Sequence, residues 1–192
     1  MNHVNVIVST LSSKEFLVDS SNQRLQEMWC AARFSTGYEQ HLEPCQVEIE
    51  DIDEQREYDF HLVVNGSRFP FQVFEVMEKG RLRDKDYKNL TKAEIEEKQK
   101  SKAPLAVEES IAQIENALKK KMAKHYAESL DLNTLVYINI NVLQLPWAPL
   151  RDMVQRLNPK FASVWMVTEH MFGCLLGGHD KLEGWMQIRD GS

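Results

Sequence analysis

The chain has 192 residues, a formal net charge of −6, 43% apolar residues and 27% charged ones. That length is spanned by one domain around one hydrophobic core, and the composition sits near the average for soluble globular proteins, which excludes the disordered and fibrous classes. The negative net charge excludes a strongly basic, sequence-independent binder of polyanions, so any nucleic-acid contact must come from a local patch. The longest apolar runs, such as Leu143 to Pro149, are too short to cross a hydrocarbon core. Met1 to Leu11 carries no basic segment followed by the apolar stretch of a secretory signal. Cys30, Cys45 and Cys174 are odd in number and form no CxxC, as expected of reduced thiols in a cytoplasmic protein.

From the amino end, Val4 to Ser9 is a short β-branched run followed by a Ser/Asp-rich turn. Helix formers begin at Asn22, where Leu25, Trp29 and Ala32 share a face, Ser20 or Ser21 caps the start, and Gly37 marks the expected end. Gln46 to Ile52 alternates Val47 and Ile49 with Glu48 and Glu50, the pattern of a half-exposed strand. Tyr58 to Val64 reads as a more buried strand and Arg68 to Met77 as its return. Asn65-Gly66 between them supplies residues that adopt positive φ at low cost, the chemistry of a tight hairpin.

Residues 79–104 are polar and rich in lysine, with no core-sized apolar face, and read as an insertion ended by Pro104. Over Val107 to Glu128, Ile111, Ile114, Leu118 and Met122 recur at helical spacing, with acids early and Lys119, Lys120, Lys121 and Lys124 late, which predicts an amphipathic helix. Leu135 to Val142 alternates as a strand, Pro149 to Leu157 is a second helix closed by Asn158-Pro159, Phe161 to Thr168 another strand, and Gly184 to Arg189 a short edge strand. The predicted fold class is α/β: one domain over 1–192 with a mixed central sheet flanked by helices.

That α-β-β-β-α-β order, with Tyr58-Asp59-Phe60 opening one arm of the hairpin and Phe71-Gln72-Val73-Phe74-Glu75-Val76-Met77 forming the other, resembles the restriction-endonuclease-like core of the PD-(D/E)XK nuclease superfamily. The resemblance implies hydrolysis of phosphodiesters in DNA or RNA, assisted by Mg²⁺. A hard cation neutralises developing charge and acidifies the attacking water, so it needs oxygen ligands from both arms. It implies Asp59 as first ligand, Glu75 or Gln72 as second and Glu27 as a supporting acid.

Which second ligand applies depends on register. A two-residue turn sets Asp59 opposite Gln72, whereas a longer loop or a bulge near Pro70 brings Glu75 to its face. The motif lysine is absent in both, replaced by Phe74 or Met77, which leaves Lys79 as the candidate water-orienting group, or a lysine reaching in from the helix that bears Lys119, Lys120 and Lys121.

A second reading is a catalytically inactive nuclease-fold module that docks a protein or nucleic acid through the lysine-rich stretch. A third is a homodimer built on exposed strand edges. Asp59 and Glu75 read equally well as structural strand carboxylates, and Glu27 as a solvated acid paired with Arg24. The spacings His41-x₃-Cys45 and His170-x₃-Cys174 admit a zinc site only if the two pairs meet.

Overall fold

The computed structural model describes residues 23–49, 57–77, 103–124, 131–177 and 182–189. Helix α1 (Gln23–His41) leads into β1 (Cys45–Glu48), β2 (Phe60–Val64) and β3 (Ser67–Met77); then follow α2 (Val107–Met122), β4 (Asn133–Asn139), α3 (Trp147–Leu157), β5 (Ser163–Val167), β6 (Met171–Leu176) and β7 (Met186–Gln187). The seven strands form one mixed sheet in sequence order, from β1 at one edge to β7 at the other. β3, β4 and β5 run parallel, and the other neighbours pair antiparallel. The mixed α/β class read from the sequence is therefore present.

The hairpin closes as its turn residues dictate. Asn65 (φ 50°) and Gly66 (φ 79°) both take positive φ. Val64 then pairs with Ser67, and the register runs without a slip to Phe60 opposite Phe71, passing Pro70 opposite His61. This is the register of the two-residue turn.

Each face of the sheet carries its own core. On one face α1 lays Phe34 among Phe71, Trp165 and Phe172, with ring centroids 5.2, 5.1 and 6.4 Å away. On the other, Ile114 and Leu118 of α2 meet Val136 and Met166 of the sheet and Leu150 and Met153 of α3. Burying an apolar layer on both sides of the parallel strands is what makes β4 and β5 almost continuously apolar.

Two readings change in three dimensions. Gly37 does not end the first helix, which runs on to His41. A Cβ there would lie 2.7 Å from Phe172 Cδ1, so the glycine marks close packing of helix on strand. β6 was hidden in the sequence because its MFGCLL run has no alternation. It is buried on both faces, and Gly173 leaves room for the Trp147 ring, which an added Cβ would meet at 2.4 Å. The predicted strand at Val4 to Ser9, the insertion over 79–104 and Lys79 itself lie outside the described residues, apart from residues 103 and 104. No helix among the described residues is long and apolar enough to cross a membrane.

Candidate functional site: Asp59 and Lys121 at the open end of the hairpin

β2 starts at Phe60, so β3 extends past its partner, and Asp59 sits at the resulting step in the sheet. The Asp59 N–H donates to Phe71 O (2.7 Å), and the Val73 N–H donates to Asp59 Oδ2 (2.6 Å). The carboxylate thus takes the place of a backbone carbonyl where the ladder stops, satisfying an amide that would otherwise be orphaned.

Both layers of helix reach this step. From α1, Arg24 Nη1 donates to Asp59 O (3.2 Å) and pairs with Glu27 Oε2 at 3.7 Å. From α2 comes Lys121. The buried positions of that helix are Ser110, Ile114, Leu118 and Lys121, so the lysine occupies the core-facing stripe and is only 9% exposed. Its ammonium stands 5.6 Å from the centre of the Phe74 ring. A lysine stem on an apolar stripe runs along the core and carries its charge toward the edge of the sheet, where its field reaches Asp59.

The electrostatics follow from this placement. Burial pushes the Asp59 carboxyl up to about 6; Glu27 adds to the rise, while the Val73 amide, Lys121 and Arg24 restrain it. Burial likewise lowers the Lys121 amine to about 8, abetted by Lys124 and opposed by Asp59 and Glu27. At neutral pH a carboxylate and an ammonium lie within each other's field, each shifted toward neutrality. That is the condition for one group to accept a proton and the other to donate one.

Gln72 has a buried side-chain carbonyl oxygen with no hydrogen-bond partner among the described residues. Glu75 Oε1 accepts from Asn139 Nδ2 (2.7 Å) across the β3–β4 pair. Beside them, between the outer half of β3 and the last turns of α2, lies a groove of about 760 Å³ lined by Phe74, Glu75, Val76 and Met77 on one side and Gln113, Ala117 and lysines of α2 on the other.

Each acid predicted as a ligand has a partner within the chain. Asp59 Oδ2 is taken by the Val73 amide, Glu75 Oε1 by Asn139, and Glu27 lies against Arg24. Among the described residues no group of three or more His, Cys, Asp or Glu is placed to hold a metal ion. The two His/Cys pairs are likewise engaged apart: His41 Nε2 lies 2.8 Å from Gln187 O, and Cys45 Sγ donates to Ser35 O at 3.6 Å. His170 pairs with Glu169 at 3.8 Å, and Cys174 Sγ donates to Leu176 O at 3.2 Å. Burial raises the Cys45 and Cys174 thiols to about 11 and about 12, which leaves both unreactive near neutral pH.

Sequence reasoning placed Lys121 among solvated lysines with a chance of reaching the site. The signal that singles it out was present: it continues the series Ile114, Leu118, a charged residue at a core position.

No protein-family model matches the sequence, and no curated protein is similar to it. In structure the chain is similar to a protein of unknown function from Pseudomonas aeruginosa strain PAO1 that is placed in the monooxygenase superfamily. The TM-score is 0.50 at 17% identity, covering 100% of this chain and 98% of that one. A likeness at this identity bears on the fold alone.

It overturns the nuclease resemblance: the superposable fold belongs to a protein described as a monooxygenase relative, so the assignment to the PD-(D/E)XK superfamily, phosphodiester hydrolysis and the inactive nuclease-fold module are all withdrawn. The Mg²⁺ expectation rested on the same resemblance. The physical reason for the miss is that the motif is an acid on each arm of a hairpin, a pattern that ladder-terminating carboxylates such as Asp59 satisfy without any metal.

Proposed function

We propose that the chain is an enzyme whose reaction turns on proton transfer, with Asp59 as general base and the Lys121 ammonium as general acid or oxyanion partner. The observation that carries this reading is the charged residue on the core stripe of α2, buried where its field reaches the half-buried carboxylate at the step where β2 ends. Burying a charge costs several kcal/mol, roughly, and an apolar residue at the Lys121 position would serve stability as well. A lysine held there at such cost, with a half-buried carboxylate in its field, is the kind of arrangement acid–base chemistry uses.

Arg24 and Glu27 orient and tune Asp59 from α1. The orphaned Gln72 oxygen supplies a ready acceptor for a donor on the substrate. The substrate class this supports is a small molecule with an acidic C–H or O–H, whose conjugate base gains from an adjacent ammonium.

The test is proton exchange in D₂O. The protein is incubated with a panel of 2-oxo acids, 1,3-dicarbonyl compounds and phenols, and loss of C–H signal is followed by NMR. Acceleration by the wild-type chain that is lost in Asp59→Asn and in Lys121→Met supports the reading; no acceleration across the panel removes it.

The fold likeness favours a second reading, oxygenation of a small organic substrate, because the similar protein is placed among monooxygenases. Uptake of dioxygen with the same panel, measured by an oxygen electrode, separates the two: exchange without uptake supports proton transfer alone.

A further inference from the structure

We propose that the groove between β3 and α2 is the binding site for an amphiphilic organic anion: an anionic head group, carboxylate or sulfonate, held by Lys120 and Lys124, on an apolar body laid along Phe74, Val76 and Ala117. The proposal deepens the acid–base reading and rests on it in one respect, since Lys121 both lines the groove and lies within the field of Asp59.

The groove's size, about 760 Å³, is that of small-molecule sites. Its lining has a definite polarity. Among the described residues its lining holds four lysines, Lys119, Lys120, Lys121 and Lys124, and one acid, Glu75, whose carboxylate Asn139 engages. This is a local reversal of sign in a chain whose formal charge is −6. Lys119 is paired with Glu115 at 2.7 Å, which leaves Lys120, on the exposed side of α2, and Lys124, exposed just past its end, as the head-group cations. The ring of Phe74 and the side chains of Val76 and Ala117 form the apolar floor between those ammonium groups and the sheet.

An inorganic anion would leave that floor unused, and a neutral apolar molecule would leave the lysines unpaired. A molecule with both parts satisfies the whole surface. A buried Gln113 carbonyl oxygen without a hydrogen-bond partner also lines the groove and would accept from a hydroxyl or amide on the body of such a ligand.

The experiment uses 1-anilinonaphthalene-8-sulfonate as a fluorescent amphiphilic anion bound to the folded chain at neutral pH and low salt, and competes it with decanoate, 1-decanol and decylamine. Decanoate is expected to displace the dye at concentrations at least tenfold lower than the alcohol or the amine, with the affinity weakening as salt rises. The double variant Lys120→Glu/Lys124→Glu is expected to lose at least tenfold in dye and decanoate affinity at an unchanged thermal midpoint, and Ala117→Trp, which fills the floor, to do the same. Asp59→Asn is expected to bind both as wild type does, so binding and proton transfer are read separately.

Equal displacement by alcohol and acid, no dye binding, or unaltered affinity in the charge-reversed variant each overturns the proposal. Binding that persists while proton exchange fails across the panel would instead remove the catalytic reading and leave the groove as an anion site.

Discussion

The Val73 amide donates to Asp59 Oδ2 over 2.6 Å, so one carboxylate both closes the end of a β-ladder and lies within the field of the Lys121 amine. A residue with two such duties separates cleanly by substitution. Asparagine keeps an oxygen for the Val73 N–H; alanine leaves that amide without a partner. Asp59→Ala is expected to cost about 1–3 kcal/mol in urea unfolding, and Asp59→Asn distinctly less. Equal costs for the two variants would mean that the ladder cap contributes nothing.

The pH dependence has a definite sign. The Asp59 carboxyl is raised from 3.8 to about 6, so in that window the folded chain holds a proton the unfolded chain has released, and this group makes stability fall as pH rises from about 4 to 6. The Lys121 amine is lowered from 10.5 to about 8, so between those values the unfolded chain holds the extra proton, and stability rises with pH there. Carboxyl and amine NMR titrations should find these midpoints. Lys121→Met should move the Asp59 midpoint further up and Glu27→Gln should move it down, because the first removes a restraining charge and the second a raising one. An Asp59 midpoint near 4 in the wild type would contradict the site geometry.

Charges kept for function should be dispensable for stability. The double variant Asp59→Asn/Lys121→Leu is expected to equal the wild type or exceed it by up to about 4 kcal/mol, while Lys121→Leu alone is less stable than the double, since it removes a cation from the field of the half-buried carboxylate. Both should be inactive in proton exchange. A double variant that fails to fold would show the pair to be structural.

Gly37 faces Phe172 with no room for a methyl group. Gly37→Ala, normally a gain of about 1 kcal/mol inside a helix, is expected to lower stability by about 1–3 kcal/mol here. Phe172→Leu in the same chain should recover part of that loss, read as non-additivity in chemical denaturation. A stabilised Gly37→Ala variant would mean that α1 can slide away from β6.

Much of the architecture was legible along the chain. The Asn65-Gly66 turn favoured the hairpin register that forms, because residues tolerant of positive φ close a two-residue loop, while the choice against a bulge near Pro70 came from the structure. The spacing of Ile111, Ile114 and Leu118 announced α2, and alternation announced β4, because local patterning answers to period alone. The role of Gly37 and the existence of β6 were beyond such reading: both depend on which distant side chain packs against them.

The same division runs through the site. The sequence by itself supplied an acid at the mouth of a hairpin and a lysine on an apolar stripe, each a local fact. Only the tertiary structure decided that α2 crosses to the open end of β3, so that these two charges come within each other's field while Glu75 turns to Asn139. Short-range patterning sets which face a residue occupies, and long-range packing of helix on sheet sets what it meets there.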